Sequence, residues 1–256
     1  MTVETITGKH NALLTHLRRL ASSRAYRDEC GEYLGDGIKL LDEAVKWNAP
    51  LKTVVVSDGV ALPPLPEGIR AVRVSGELMR SVSPAETPQG ALFTASLTRE
   101  TLPGRLDGKR YLVLDGVQDP GNVGAILRTA DAFECEGVFL VNACADLYNP
   151  KTVRATMGAI FRARVWSCNA RGLADLLHNS GIPLYGAALR GDTVPLGAAN
   201  LSRAAVAIGS EGRGLSAEMI SACDKTVRIP MSTRCESLNA ATAAAIALWE
   251  MYRPDK

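Results

Sequence analysis

From residue 110 onward the chain repeats one pattern: a short apolar run, a turn rich in Gly, Pro or Asn, then a segment whose apolar residues recur at helical spacing. Residues 110–114, 137–142, 182–188, 204–209 and 225–229 read as buried strands, and the helical segments among them are "GAILRTADAF", "PKTVRATMGAIF", "RGLADLLHNS" and "SAEMISA". Strands that are apolar throughout must be covered on both faces, and helices alternating with strands cover both. The pattern therefore predicts an α/β fold with a parallel sheet. Ligands of such sheets bind outside the carboxyl ends of the strands, so chemistry is expected in the turns that follow them.

The first hundred residues read differently. Lys9, His10, His16, Arg18, Arg19, Arg24 and Arg27 crowd into a basic helical opening. Such crowding suits either a phosphate backbone or a solvated helix face. "LKTVVVSDG", "RAVRVSG" and "GALFTAS" read as strands, with the Pro-rich loop "ALPPLPEG" between the first two. A small α/β domain over residues 1–100 is expected, then a linker at 101–109 in "TLPGRLDGKR" and a second domain over 110–256.

Composition narrows the function classes. With 46% hydrophobic and 22% charged residues the chain is an ordinary globular protein rather than a disordered one. No apolar run approaches the ~18 residues of a membrane span, and the opening "MTVETITGKH" lacks the charged start and apolar core of a signal peptide. A cytoplasmic protein with no membrane partner is expected. The six cysteines (30, 135, 144, 168, 223, 235) include no C-x-x-C pair, so reduced thiols are expected, with no zinc or other metal and no disulfide framework. A net charge of +2 is too mild to specify a nucleic-acid partner and leaves RNA open. The final segment "ESLNAATAAAIALWEMY" reads as a helix apolar nearly all round, to be buried against its own sheet or a second subunit.

Three strand-end turns carry the unusual residues. "DPGNVGAILR" follows the strand "RYLVL" but offers only Gly121 and Gly124 and no Lys, so it matches neither the dinucleotide fingerprint nor the P-loop. That counts against a nucleotide-dependent oxidoreductase. Its distinctive polar residues are Asn122 and Arg128. In "AIGSEGRGLS", Gly209, Gly212 and Gly214 surround Ser210, Glu211 and Arg213, so the backbone can fold tightly and present its own polar groups. In "RIPMSTRCESLN", Pro230 stops a strand, and Ser237 and Asn239 stand at the start of the Ala-rich helix, where capping is the plain reading. Each turn alone fits a purely structural role equally well.

Together and in this order, the turns resemble the three motifs of the SPOUT class of RNA methyltransferases, in its ribose 2′-O-methylating SpoU/TrmH branch. Asn122, Gly124 and Arg128 match N-x-G-x-x-x-R, "GSEGRGLS" matches the second motif, and "IPM" with "SLN" the third. "VRATMGAIFR", residues 153–162, resembles a further family segment between motifs one and two. The resemblance covers roughly residues 110–252, and the N-terminal part is similar to a ribosomal-protein-like substrate-binding domain.

The resemblance implies a parallel-sheet SPOUT domain closed by a trefoil knot, S-adenosylmethionine as cofactor, a homodimer formed through the C-terminal domain, and RNA as substrate, ribosomal RNA ahead of tRNA. It implies Gly209, Ile229 and Leu238 as cofactor contacts and Asn122, Arg128, Glu211, Ser237 and Asn239 as the polar catalytic group. Because a guanidinium stays protonated, Arg128 is assigned to orienting the ribose and its phosphate and to stabilising alkoxide charge. Glu211 is the plainer proton acceptor and equally a holder of Arg128 or of its loop; an ordered water is the third candidate. Ser237 is read as a helix cap ahead of a phosphate contact. A self-protective methylation against an antibiotic and a non-catalytic assembly factor stay open as alternatives. Two departures stand out: Thr233 where the third motif often has glycine, and Thr156 where serine is common.

Overall fold

The apolar runs of the second half form strands where the sequence leads one to expect them. The structure, a computed structural model, describes residues 3–190 and 193–253. In chain order the elements are β1 Val3–Ile6, α1 Ala12–Ser22, α2 Arg24–Cys30, β2 Glu32–Asp36, α3 Ile38–Lys46, β3 Leu51–Ser57, β4 Arg70–Val74, α4 Gly76–Val82 and β5 Ala91–Ser96. There follow β6 Arg110–Asp115, α5 Pro120–Ala132, β7 Gly137–Val141, α6 Pro150–Ala155, β8 Val165–Ser167, α7 Ala170–Asn179, β9 Leu184–Ala187, β10 Val194–Pro195, β11 Ala204–Gly209, α8 Ala217–Ala222, β12 Lys225–Arg228 and α9 Ala240–Tyr252.

Two compact units result, one of residues up to Thr98 with Asp146–Arg162, the other of Arg99–Ala145 with the chain from Ala163 onward. The segment Asp146–Arg162 thus interrupts the expected continuous domain over 110–256. Apolar burial accounts for this: Val153 is fully buried in a cluster with Tyr33, Leu41, Val54 and Phe93, and Tyr148, Ile160 and Phe161 pack on the same cluster. The carboxylate of Asp146 also accepts a 2.6 Å bond from the buried guanidinium of Arg27.

The first unit holds a five-stranded mixed sheet in the order β1-β4-β3-β5-β2. Its basic opening is largely turned to internal use. Arg18 donates to the carbonyl and hydroxyl of Ser81, tying α1 to α4. The guanidinium of Arg19 lies 3.6 Å from the centre of the Tyr26 ring, and His16 bridges the Tyr26 hydroxyl and the Glu32 carboxylate. Arg24 pairs with Asp28, while Lys9 and His10 stay exposed.

In the second unit, seven strands run parallel in the order β10-β12-β9-β11-β6-β7-β8. Tyr111 and Val113 of β6 pack with Leu173 and Leu176 of α7 and Met219 of α8. Pleating sends Leu112 and Leu114 to the opposite face, which α9 covers while packing on α5. Ala240, Ala244 and Ala247 are buried along α9, and these small side chains allow the helix close to the sheet.

Two helices differ from expectation. "PKTVRATMGAIF" is not one helix: α6 ends at Ala155, Met157 and Gly158 take positive φ (49° and 96°), and a single 3-10 turn follows at Ala159–Phe161. The buried Thr156 hydroxyl donates back to the Val153 carbonyl, which closes the helix end. The final helix begins at Ala240 rather than four residues earlier, because Asn239 caps it.

Candidate active site

The chain leaves β6 to one side of the sheet and later returns beside it as β11, so the strand order reverses between these two strands. Their ends are in register, with Asp115 beside Gly209. A crevice opens outside the carboxyl ends at such a reversal. On the other side of β11 from β6 lies a cleft of about 390 Å³, walled by the carboxyl ends of β9, β11 and β12 and by the start of α9.

Backbone forms much of the cleft. The loop after β11 folds back on itself, Ser210 and Gly214 exchanging two backbone hydrogen bonds of 3.0 and 2.9 Å. The returning chain crosses over Gly209 so closely that a Cβ there would sit 2.1 Å from the Gly214 carbonyl carbon and 2.3 Å from the Leu215 nitrogen. Only glycine fits. Gly214 itself is left-handed, with φ 67°. Ile229 and Leu238 line the cleft together with Ala187, Ile208, Val227 and Ala243, so the walls are largely apolar.

A buried acid holds this loop from below. The Asp115 carboxylate accepts a 2.6 Å bond from the Ser216 N–H and a 2.8 Å bond from the Asn142 side chain. Ser216 in turn caps α8. Asn142 takes positive φ (53°) to reach this position, a conformation Asn tolerates better than most residues. The sequence signal for Asp115 was an acid closing the apolar run "RYLVLD"; Asn142 had none.

The polar residues form a directed chain. Asn239 Oδ1 accepts from the backbone N–H groups of Ala241 and Thr242 at the start of α9. This fixes its amide, whose Nδ2 then donates 3.1 Å to Asn122 Oδ1. The Asn122 amide is thereby oriented as well, and its Nδ2 donates 2.6 Å to Glu211 Oε1. A carboxylate only accepts, so every amide orientation is determined from the helix cap outward. Asn122 is held by its own helix: Asp119 caps α5, accepting from the Asn122 N–H, and Pro120 occupies the first turn.

The site residues expected from the sequence thus divide. Gly209, Glu211, Ile229, Ser237 and Leu238 line one cleft, and Asn122 and Asn239 are bonded to Glu211 or to each other. Ser237 is not the cap of the last helix, because the cap is Asn239, whose side chain reaches both free N–H groups. Arg128 stands apart. Six residues beyond Asn122 on α5, it projects from a different face of the helix, is exposed, and makes no ion pair with Glu211. Thr233 does not take positive φ, so the loop passes it without the glycine common there. The wall formed by Ala187, Ala188 and Leu189 after β9 was missed, although its place at a strand end marked it.

Other chemistries find little support. Burial pushes the thiols of Cys135, Cys168 and Cys223 up to about 12, 11 and 12, so they stay protonated at neutral pH and are poor nucleophiles. Among the described residues no group of three or more His, Cys, Asp or Glu is arranged to hold a metal ion.

A parallel sheet with a glycine-walled cleft at its strand ends, where a carboxylate is bonded to Asn122 and Asn122 to Asn239, is the build of a ligand-binding α/β protein. Residues 109–249 match the model of the SpoU rRNA Methylase family, and residues 11–92 match an MRM3-like substrate binding domain. The chain belongs to the SpoU rRNA Methylase family. It is similar to the 23S rRNA (guanosine(2553)-2′-O)-methyltransferase RlmP of Bacillus subtilis, 32% identical over 88% of this chain and 90% of that one. It is 30% identical to a 23S rRNA (uridine(2479)-2′-O)-methyltransferase of Streptomyces viridochromogenes, over 95% and 90%. The AdoMet-bound rRNA methyltransferase of Sinorhizobium meliloti superposes with a TM-score of 0.85 at 27% identity, covering 97% of each chain.

Proposed function

We propose that this protein transfers the methyl group of S-adenosylmethionine to a ribose 2′-hydroxyl of ribosomal RNA. The observation that carries the reading is the chain Asn239–Asn122–Glu211, which ends in a carboxylate on the rim of a cleft lined by Gly209, Ile229 and Leu238.

The cleft fits the cofactor in kind. Its apolar walls suit an adenosine, the Gly209–Gly214 loop offers backbone donors and acceptors, and Glu211 and Glu236 suit a sulfonium and an ammonium group. Bound, the cofactor supplies an electrophilic methyl on a positively charged sulfur. The protein aligns the 2′-oxygen with that methyl: the O–C bond forms as the C–S bond breaks, sulfur takes the electron pair, and the hydroxyl proton leaves. Glu211 is the acceptor this geometry favours, since Asn122 holds one of its oxygens. Ser237 and Arg128 serve the RNA, Ser237 at the cleft and Arg128 by its fixed charge and planar fork. No step calls for a metal.

Three further features belong to this reading. A trefoil knot in the second unit is supported by the return of α9, after the edge strand β12, onto the central strands β6 and β11. A homodimer through this unit is supported by exposed aromatics: Trp249, 52% exposed, and Tyr252 pack around Phe133 at the shared end of α5 and α9. Arg128, exposed on α5 and absent from its own cleft, is suited to act across that seam. Action in the cytoplasm belongs to the same reading and rests on the bacterial 23S rRNA methyltransferases among the relatives; among the described residues no helix is long and apolar enough to cross a membrane. Ribosomal RNA is favoured over tRNA by the relatives named as 23S rRNA methyltransferases. Mapping 2′-O-methyl sites in total RNA from cells with and without the gene tests the reading: one ribosomal position should lose its methyl group, and an unchanged map refutes the assignment.

A further inference from the structure

Trp47 closes the C-terminus of α3 and is 45% exposed, in a chain with only three tryptophans. It is nonetheless held in place. Its indole N–H donates 3.1 Å to Glu43 Oε2, and the same oxygen accepts a 2.8 Å bond from Arg162. The Arg162 guanidinium carbon lies 4.7 Å from the indole ring centre, and Lys46 Nζ lies 5.7 Å from it. Lys46 also pairs with Glu43, so the carboxylate holds the indole edge while both cations lie over the ring, which keeps 45% of its surface exposed.

Glu43 also lies against the turn that carries a second exposed apolar residue. The turn Thr156–Gly158 presses on it so closely that a Cβ at Gly158 would lie 2.8 Å from Glu43 Cβ. At the head of this turn Met157 takes positive φ, a strained conformation for an unbranched apolar residue, and is 44% exposed. Trp47 and Met157 are the two most exposed large apolar side chains among the described residues of this unit.

We propose that Trp47 is a stacking platform for an unpaired RNA nucleotide, whose phosphates Lys46 and Arg162 attract. This rests on the reading of RNA as substrate. Unpaired bases are recognised by stacking on fixed aromatic rings flanked by cations, and anchoring the indole edge leaves little side-chain freedom to lose on binding. A protein partner fits less well, because lysine is depleted at the centre of protein interfaces and Lys46 borders the ring.

The test titrates the full-length protein with octaadenylate at low salt, following tryptophan emission, in wild type and in Trp47→Phe. Trp166 and Trp249 remain in both, so the difference reports Trp47. Wild-type emission should change more on saturation than that of the Phe variant. Trp47→Ala should weaken oligonucleotide binding about tenfold or more, raise KM for deproteinised large-subunit RNA, and leave cofactor affinity unchanged, while Trp47→Phe keeps most of the binding. Equal binding by Trp47→Ala, or equal emission changes in wild type and Trp47→Phe, overturns the platform. So does a changed sedimentation coefficient in Trp47→Ala, which would assign this face to another copy of the chain. Octaadenylate held by Trp47 in a protein that transfers no methyl group would instead refute the methyltransferase reading alone.

Discussion

Gly209 lies directly under the backbone of Gly214: a Cβ on Gly209 would fall 2.1 Å from the Gly214 carbonyl carbon, well inside any tolerated contact. The cleft exists because these two glycines let the chain cross itself at the end of β11. Gly209→Ala must push the Glu211 loop away from the sheet. Overpacking of this kind costs about 1–3 kcal/mol, and taken from cofactor binding that is about a 5- to 150-fold rise in Kd. Calorimetric titration with S-adenosylmethionine checks it, and unchanged affinity would disconnect the crossing from the cofactor.

Glu211→Gln separates proton transfer from scaffolding. The glutamine carbonyl can still accept from Asn122 Nδ2, so the amide chain survives. If Glu211 removes the 2′-hydroxyl proton, kcat falls about 10²- to 10⁴-fold with KM for RNA nearly unchanged. Near-normal kcat would reduce Glu211 to a support for Asn122 and leave proton removal to water.

The sheet was legible in the sequence because buried parallel strands are continuous apolar runs, and β6, β7, β9 and β11 lie on such runs, whereas β12, "KTVR", buries only Val227. The strand β2, "EYLGD", was not, because Gly35 reads as a breaker; yet a Cβ at Gly35 would sit 2.0 Å from the Phe93 ring, so the strand needs the glycine. The site was legible as three turns. What joins them was not, since the bonds from Asn122 to Glu211 and from Asn239 to Asn122 span 89 and 117 residues. The basic opening misled for a related reason: partners such as Ser81 and Asp146, which take up Arg18 and Arg27, are distant in the chain.

Arg27 and Asp146 provide a test of how residues 146–162 are held. Arg27 is buried, donating to the Leu20 carbonyl and to Asp146. Asp146→Ala leaves a buried charge without its counterion and should destabilise the protein by about 3–5 kcal/mol, read as an earlier urea midpoint. A change below ~0.5 kcal/mol, the range of ordinary surface substitutions, would show that apolar packing alone holds the segment.

Asp36 gives a pH dependence. Burial raises its pKa above the ordinary 3.8, against the opposing hydrogen bond from Ser83. The native state therefore holds this proton more tightly than the unfolded chain does. The contribution to stability is fully present below 3.8 and is lost as pH rises through the raised native value. In Asp36→Asn that pH-dependent loss should vanish, which urea midpoints measured from pH 3.5 to 7 would reveal. Parallel curves for the two proteins would refute it.

The most direct test of the central claim uses the chemistry of the product. A methylated ribose oxygen cannot attack the adjacent phosphodiester, so a 2′-O-methylated nucleotide survives alkaline hydrolysis as part of a dinucleotide. Large-subunit RNA lacking the modification is incubated with the full-length protein and methyl-labelled S-adenosylmethionine, then hydrolysed in alkali. The label is predicted in a single alkali-resistant dinucleotide, and to form several-fold more slowly with Gly209→Ala at limiting cofactor. Label in free mononucleotides, the mark of base methylation, or no label at all, would contradict the account.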